Sequence, residues 1–200
     1  MLLEKNNKKI FFIHIPRTSG RYITNLFFKN GFKSFELNNF NLYKGIEERH
    51  LHHTYLKEFD SYNTNKKLTV VRDPLSRFVS AATIDMYLNK DSRHNFKLET
   101  IKNVLDYIEF QQTRASFHNN WFRPQYEFIS KDCKIWKLEN KINNKFLNFI
   151  KKKYDINLNL HDISCQGEYD GLKKIKINEA IEQAVKIVYK KDYKLFYKNS

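Results

Sequence analysis

Two cysteines, three prolines and five glycines are all that this 200-residue chain offers by way of staples and turn punctuation. Cys133 and Cys165 stand far apart, outside any Cys-x-x-Cys spacing, which argues against a disulfide scaffold or a zinc knuckle and fits a reducing compartment. No apolar run approaches the ~20 residues that a membrane-spanning helix needs. Met1 to Ile15 lacks the basic start, apolar middle and small-residue cleavage site of a signal peptide, so a soluble, cytoplasmic protein is expected. Internal repeats are missing as well, and the Lys/Asn-rich scatter at 63–67 and 141–153 does not read as a linker.

What is present is the material of one folded domain spanning 1–200. Hydrophobic residues make up 41% and charged ones 29%, and 17 Phe with 12 Tyr supply the bulk that a disordered chain lacks. Lys and Arg number 36 against 22 acids, a formal charge of +14. Such a surface attracts anions, whether nucleic acid, acidic lipid or a phosphorylated small molecule, and charge alone does not choose among them or exclude a merely solvated face.

The run Ile10-Phe11-Phe12-Ile13-His14-Ile15 predicts a parallel strand buried on both faces, ending at Pro16. Arg17-Thr18-Ser19-Gly20 is loop chemistry, and Tyr22 to Asn30 carries apolar residues at helical spacing until Gly31 stops it. The same grammar returns at Leu68-Thr69-Val70-Val71, with Asp73 as N-cap and Pro74 at the first helical position. A third strand is predicted at Lys134 to Leu138, helices at Lys141 to Lys152 and around Ile177 to Val188, and a largely helical stretch from Asp85 to Phe117. Strands alternating with helices predict an α/β layered domain with a mostly parallel central sheet flanked by helices.

In such sheets ligands sit beyond the carboxyl ends of the strands, where helix N-termini favour anions. Both loops fall there. In the first, Thr18 and Ser19 offer hydroxyls, Gly20 permits close backbone approach to a phosphate, and Arg17 and Arg21 add permanent charge. The ATP-binding P-loop is not matched, because its first glycine and its lysine are absent. The second loop supplies Arg72 at the strand end and Ser80 on the helix, with Arg77 three residues earlier on the same predicted face. Each loop alone reads equally as an ordinary strand-to-helix turn; two anion cradles in one small basic domain suit a nucleotide with separate 5′ and 3′ phosphates.

Phe12-Ile13-His14-Ile15-Pro16-Arg17-Thr18-Ser19-Gly20 resembles the 5′-phosphosulfate loop of the sulfotransferases that use 3′-phosphoadenosine 5′-phosphosulfate (PAPS). Val71-Arg72-Asp73-Pro74-Leu75-Ser76-Arg77-Phe78-Val79-Ser80 resembles their 3′-phosphate motif, the more specific of the two. The likeness is nearest to the carbohydrate-acting branch, including the heparan sulfate 2-O-sulfotransferase-like enzymes. Weaker likenesses follow in family order at Trp121-Phe122-Arg123-Pro124-Gln125, Trp136 to Asn140 and Val188 to Phe196. The resemblance implies a P-loop-like fold, PAPS as donor and 3′-phosphoadenosine 5′-phosphate (PAP) as product, no metal, and a hydroxyl acceptor on a sugar or glycan rather than a nucleic acid. It further implies that Arg17, Thr18, Ser19, Gly20, Arg21, Tyr22, Arg72 and Ser80 hold the donor. Arg17 stands where the family usually has lysine, and Arg21 and Tyr22 replace small or hydroxylated residues; arginine still grips phosphate oxygens but donates no proton at neutral pH.

Three of the seven histidines cluster in Arg49-His50-Leu51-His52-His53-Thr54-Tyr55, between the two loops. A zinc site would need a second ligand pair at a recognisable spacing, which is absent, and hydrogen-bonding surface histidines are the plainer alternative. The stretch resembles the family's His-x-His segment before an aromatic. That implies His52 as catalytic base, Arg17 as the group stabilising the leaving phosphate, and His50, His53, Arg123 and Gln125 at the acceptor. Two rival functions remain at this stage: a basic nucleic-acid-binding module and a P-loop kinase-like phosphotransferase.

Overall fold

The structure, a computed structural model, describes all residues except 36–41, 44–45, 90–95, 114–119, 164–168, 170 and 199–200. Cys165 and parts of the predicted 85–117 helical stretch therefore lie outside the described residues.

Strand β1 (Leu2–Lys5) turns directly into β2 (Lys8–Ile13). The turn residues Asn6 and Asn7 have φ of 48° and 63°, the condition a two-residue type I′ hairpin sets and one that asparagine tolerates. β3 (Lys33–Phe35) pairs antiparallel with the far side of β1. β6 (Lys67–Val71) lies parallel to β2, and β7 (Lys134–Lys137) parallel to β6, giving a five-stranded sheet of order β3-β1-β2-β6-β7. The mostly parallel sheet expected from the sequence is thus corrected to a mixed one. The hairpin before β2 adds an antiparallel half, because a two-residue turn can reverse a strand but cannot cross over to a parallel position. A separate short ladder joins β4 (Leu42–Tyr43) to β5 (Ile46–Glu47).

Alternation explains the burial of the central strands. Ile10 and Phe12 of β2, with Leu68 and Val70 of β6, face α1 (Gly20–Lys29) and α6 (Asn144–Tyr154). Phe11, Ile13 and Val71 face the other way, onto residues of the short helices α2 (His53–Leu56) and α3 (Asp60–Thr64) and of the C-terminal α8 (Lys190–Phe196). Each fully buried phenylalanine contributes about 1.5–3 kcal/mol of transfer free energy. A third apolar cluster holds α4 (Pro74–Leu88), α5 (Ile101–Thr113) and α7 (Glu179–Val188) together.

The helix ends follow local chemistry. Asp73 caps α4, its Oδ1 accepting the Ser76 N–H at 2.8 Å with Pro74 in the first turn. Gly31, at φ 82°, closes α1 as predicted. α1 begins at Gly20, two residues before the predicted start. Among the described residues no helix is long and apolar enough to cross a membrane. Since Ile13 pairs with Thr69, the chain leaves β2 and β6 at the same edge of the sheet, and both candidate loops start there.

Candidate functional site

The first loop is built under strain. Arg17 and Ser19 occupy left-handed backbone, φ 67° and 65°, a region that residues other than glycine and asparagine visit rarely and at an energetic cost. Thr18 is fully buried and its hydroxyl donates to the Ile15 carbonyl at 2.8 Å, which ties the loop to its own strand. Ser19 is exposed at the head of α1, and its side chain makes no capping bond. Arg21 is exposed, whereas Tyr22 is half-buried against the sheet core. Gly20 has a different reason from the one expected: a Cβ there would come within 2.0 Å of the His14 ring, so the glycine makes room for an imidazole.

The two loops meet. Arg17 donates from Nε and Nη2 to Ser80 Oγ at 3.1 and 2.9 Å, joining the first loop to α4. Arg72 Nη1 donates to the Arg17 carbonyl at 3.3 Å. Burial pushes the Arg72 pKa down, opposed by the nearby carboxylates of Glu139 and Asp73. Gln125, fully buried, accepts the Arg72 N–H at 2.9 Å and donates to the Arg72 carbonyl at 2.7 Å. Its amide therefore holds the Arg72 backbone from both sides.

Arg77 does not share Ser80's outward face. It is 2% exposed and donates to the carbonyls of Pro16 at 2.9 Å, Arg123 at 2.9 Å and Asn120 at 3.5 Å. The spacing Pro74, Arg77, Phe78, Ala81 is the buried stripe of α4, and that was the available signal. Asn120 donates to the His50 carbonyl at 3.0 Å and accepts from Arg123 Nε at 3.0 Å. Asp192, fully buried on α8, accepts the N–H groups of Gln125 and Tyr126 at 2.8 and 2.9 Å. The segments 121–125 and 188–196 thus brace the two loops, and Asn120 and Asp192 are supports of the candidate site that sequence reasoning did not single out. Arg17 also lies over the Trp121 ring, 6.0 Å from its centroid.

The histidines gather at the same end of the sheet. His14 and His50 pack edge to face, ring centroids 4.9 Å apart, both buried. Burial, reinforced by Arg49, lowers the His14 pKa to about 3, and burial followed by His14 lowers that of His50. His50 Nδ1 makes no hydrogen bond among the described residues, although Glu47 Oε2 lies 3.4 Å away. His50 is therefore packed inward against His14. His52 rests on Tyr55, centroids 4.5 Å apart, and its pKa falls to about 4 through burial and then Arg123, with Glu127 opposing. His53 Nδ1 lies 2.7 Å from the Tyr62 hydroxyl, a hydrogen bond that fixes its ring.

Among the described residues no group of three or more His, Cys, Asp or Glu is placed to hold a metal ion. One cavity, about 340 Å³, lies between β7 and α8, lined by Ile135, Lys137 and Leu195 among others, and includes none of the loop residues. Another, about 180 Å³, lies beside Arg123 and Glu127, the charged neighbours of His52.

No protein-family model, no curated protein and no solved structure matches this chain. The chemistry of the site is accordingly read from its own residues.

Proposed function

We propose that this chain is a PAPS-dependent sulfotransferase of P-loop-like fold, moving a sulfuryl group to a hydroxyl, on a carbohydrate, in the cytoplasm. The observation that carries the reading is the Arg17 guanidinium resting on Ser80 Oγ, with Arg72 on the Arg17 carbonyl. The residues assigned to opposite phosphates of one nucleotide are thereby in direct contact, which supports the reading. With the donor bound, Ser80 and Arg72 would hold the 3′-phosphate, and Arg17 with the first-turn N–H groups of α1 the 5′-phosphosulfate.

The reaction is an in-line displacement. The acceptor oxygen forms a bond to sulfur as the bond from sulfur to the 5′-phosphate oxygen breaks, and the hydroxyl proton passes to His52. Arg17 offsets the charge that develops on the departing phosphate. A pKa of about 4 leaves His52 neutral at pH 7 and thus able to accept a proton. Donor anions beside it would raise that pKa towards the working range.

A thermal-shift titration with PAP, ATP and AMP tests the proposal. At a hundred times its dissociation constant PAP adds about 2.7 kcal/mol, which for a chain of this size is roughly 5–10 °C. ATP and AMP should give much less. Arg72→Ala should remove most of the PAP shift, while His52→Ala should keep it and abolish sulfuryl transfer. Equal stabilisation by ATP, or full turnover in His52→Ala, would overturn the reading.

A further inference from the structure

The cavity of about 180 Å³ is lined by Gln111, Gln112, Asn120, Phe122, Arg123 and Glu127, with Pro124 at its wall; Arg123 and Glu127 also act on the charge of His52. Most polar groups there are already satisfied. Arg123 Nη1 donates to Glu127 Oε2 at 2.5 Å, Asn120 uses its amide on the His50 carbonyl and on Arg123 Nε, and Gln112 Nε2 donates to the Phe122 carbonyl at 3.1 Å. Gln111 is the exception. It is 3% exposed and its Nε2 donates to Asp85 Oδ2 at 2.7 Å, which fixes the amide orientation, but its Oε1 has no hydrogen-bond partner among the described residues.

A buried carbonyl without a donor is costly, and such groups are normally satisfied by protein, water or ligand. The volume corresponds to roughly six waters at about 30 Å³ each, more than one bridging water needs and below the usual range of drug-sized pockets. The walls also select by charge. Although the chain carries +14, Glu127 neutralises Arg123 here, and the Asp85 carboxylate stands directly behind Gln111. A carboxylate or sulfate entering would present acceptors to an acceptor, and the paired Arg123 and Glu127 offer no unpaired carboxylate to hold an ammonium ion.

We infer that this cavity binds a neutral, hydroxyl-bearing group the size of one sugar ring, with Gln111 Oε1 taking a hydrogen bond from a ligand O–H. Phe122 and Pro124 supply the apolar wall against which the C–H face of such a ring packs. Placing the acceptor there, within reach of His52, rests on the sulfotransferase reading; the ligand chemistry of the pocket does not.

The test is ligand-observed saturation-transfer NMR on the full chain, since polyols raise the melting temperature of most proteins by exclusion and a thermal shift would mislead. Methyl glucoside, glucuronate and glucosamine are the probes. Expected are saturable binding of methyl glucoside, at least fivefold weaker glucuronate and glucosamine, and about tenfold weaker methyl glucoside binding in Gln111→Leu with the PAP shift intact. If Gln111→Leu does not fold, Glu127→Gln decides: freeing the Arg123 charge should reverse the preference towards glucuronate. Absence of saturable glucoside binding, a wild-type preference for glucuronate, or no reversal in Glu127→Gln would overturn the inference and leave the cavity to water. Glucoside binding without a PAP shift would uphold the pocket and sink the transferase reading, whereas a PAP shift without glucoside binding would do the opposite.

Discussion

At Gly20 the missing side chain is demanded by an imidazole. His14 comes so close to the helix start that the nearest atom to a built Cβ is its Cδ2, at 2.0 Å, followed by Nε2 at 2.1 Å. Gly20→Ala should therefore destabilise the fold by about 1–3 kcal/mol, the usual cost of overpacking, and lower the melting temperature by roughly 2–4 °C per kcal/mol. The same substitution in a His14→Ala background should cost distinctly less, a coupling that a double-mutant cycle by urea unfolding reads directly. Equal costs in both backgrounds would show that the contact is not what fixes the glycine. Thr18 and Gln125 carry a related lesson. Both hold hydrogen-bonding groups that a sequence reader gives to a ligand, and both turn them onto backbone: Thr18 to Ile15, Gln125 to Arg72. In a small domain a buried polar group must be satisfied before it can serve chemistry.

Between elements, the decisive link is Arg77. One side chain from α4 reaches the start of the first loop and two carbonyls of the 120–123 segment, so three pieces of chain distant in sequence are fixed by one guanidinium. Arg77→Leu leaves those carbonyls without their donor and should cost about 3 kcal/mol or more, since hydrogen bonds to charged groups contribute about 1.5–3 kcal/mol each. Arg77→Lys should recover little, because an ammonium lacks the planar fork that serves several acceptors at once. Urea unfolding measures the loss, and under the proposed function PAP stabilisation should fall in both variants even where the fold survives. Strand β2, strand β6 and the helices α1, α4, α6 and α7 were legible from their periodicity and caps, to within a few residues. β1 and β3 were not. They are short, β3 is exposed throughout, and their pairing depends on the Asn6-Asn7 turn, a weaker hairpin signal than one containing glycine.

For the molecule as a whole, three buried histidines bind fewer protons folded than unfolded. The folded pKa values of His14 and His52 are about 3 and 4, that of His50 is also lowered, and the unfolded value is about 6.5. Depressed histidines contribute stability that is fully present above pH 6.5 and is lost as the pH falls towards the folded values. The slope approaches about 1.4 kcal/mol per pH unit for each histidine within that window. Asp192, whose carboxyl is pushed up by burial, works in the opposite sense but is one group against these three and His53, which burial also lowers. The urea midpoint should accordingly drop steadily from pH 7 to pH 5, and His14→Asn should flatten the decline; a midpoint constant over that range would refute the neutral, buried state of these rings. Charge, periodicity, helix caps and the position of both loops at strand ends were settled by the sequence, because each is a local property of neighbouring residues. Only the tertiary structure decided that the sheet is mixed, that Arg77 and Gln125 turn inward to backbone, that Gly20 yields to His14, and that Arg17 reaches Ser80. Those outcomes depend on which distant groups compete for the same buried space and the same hydrogen bonds, and residue order does not state that competition.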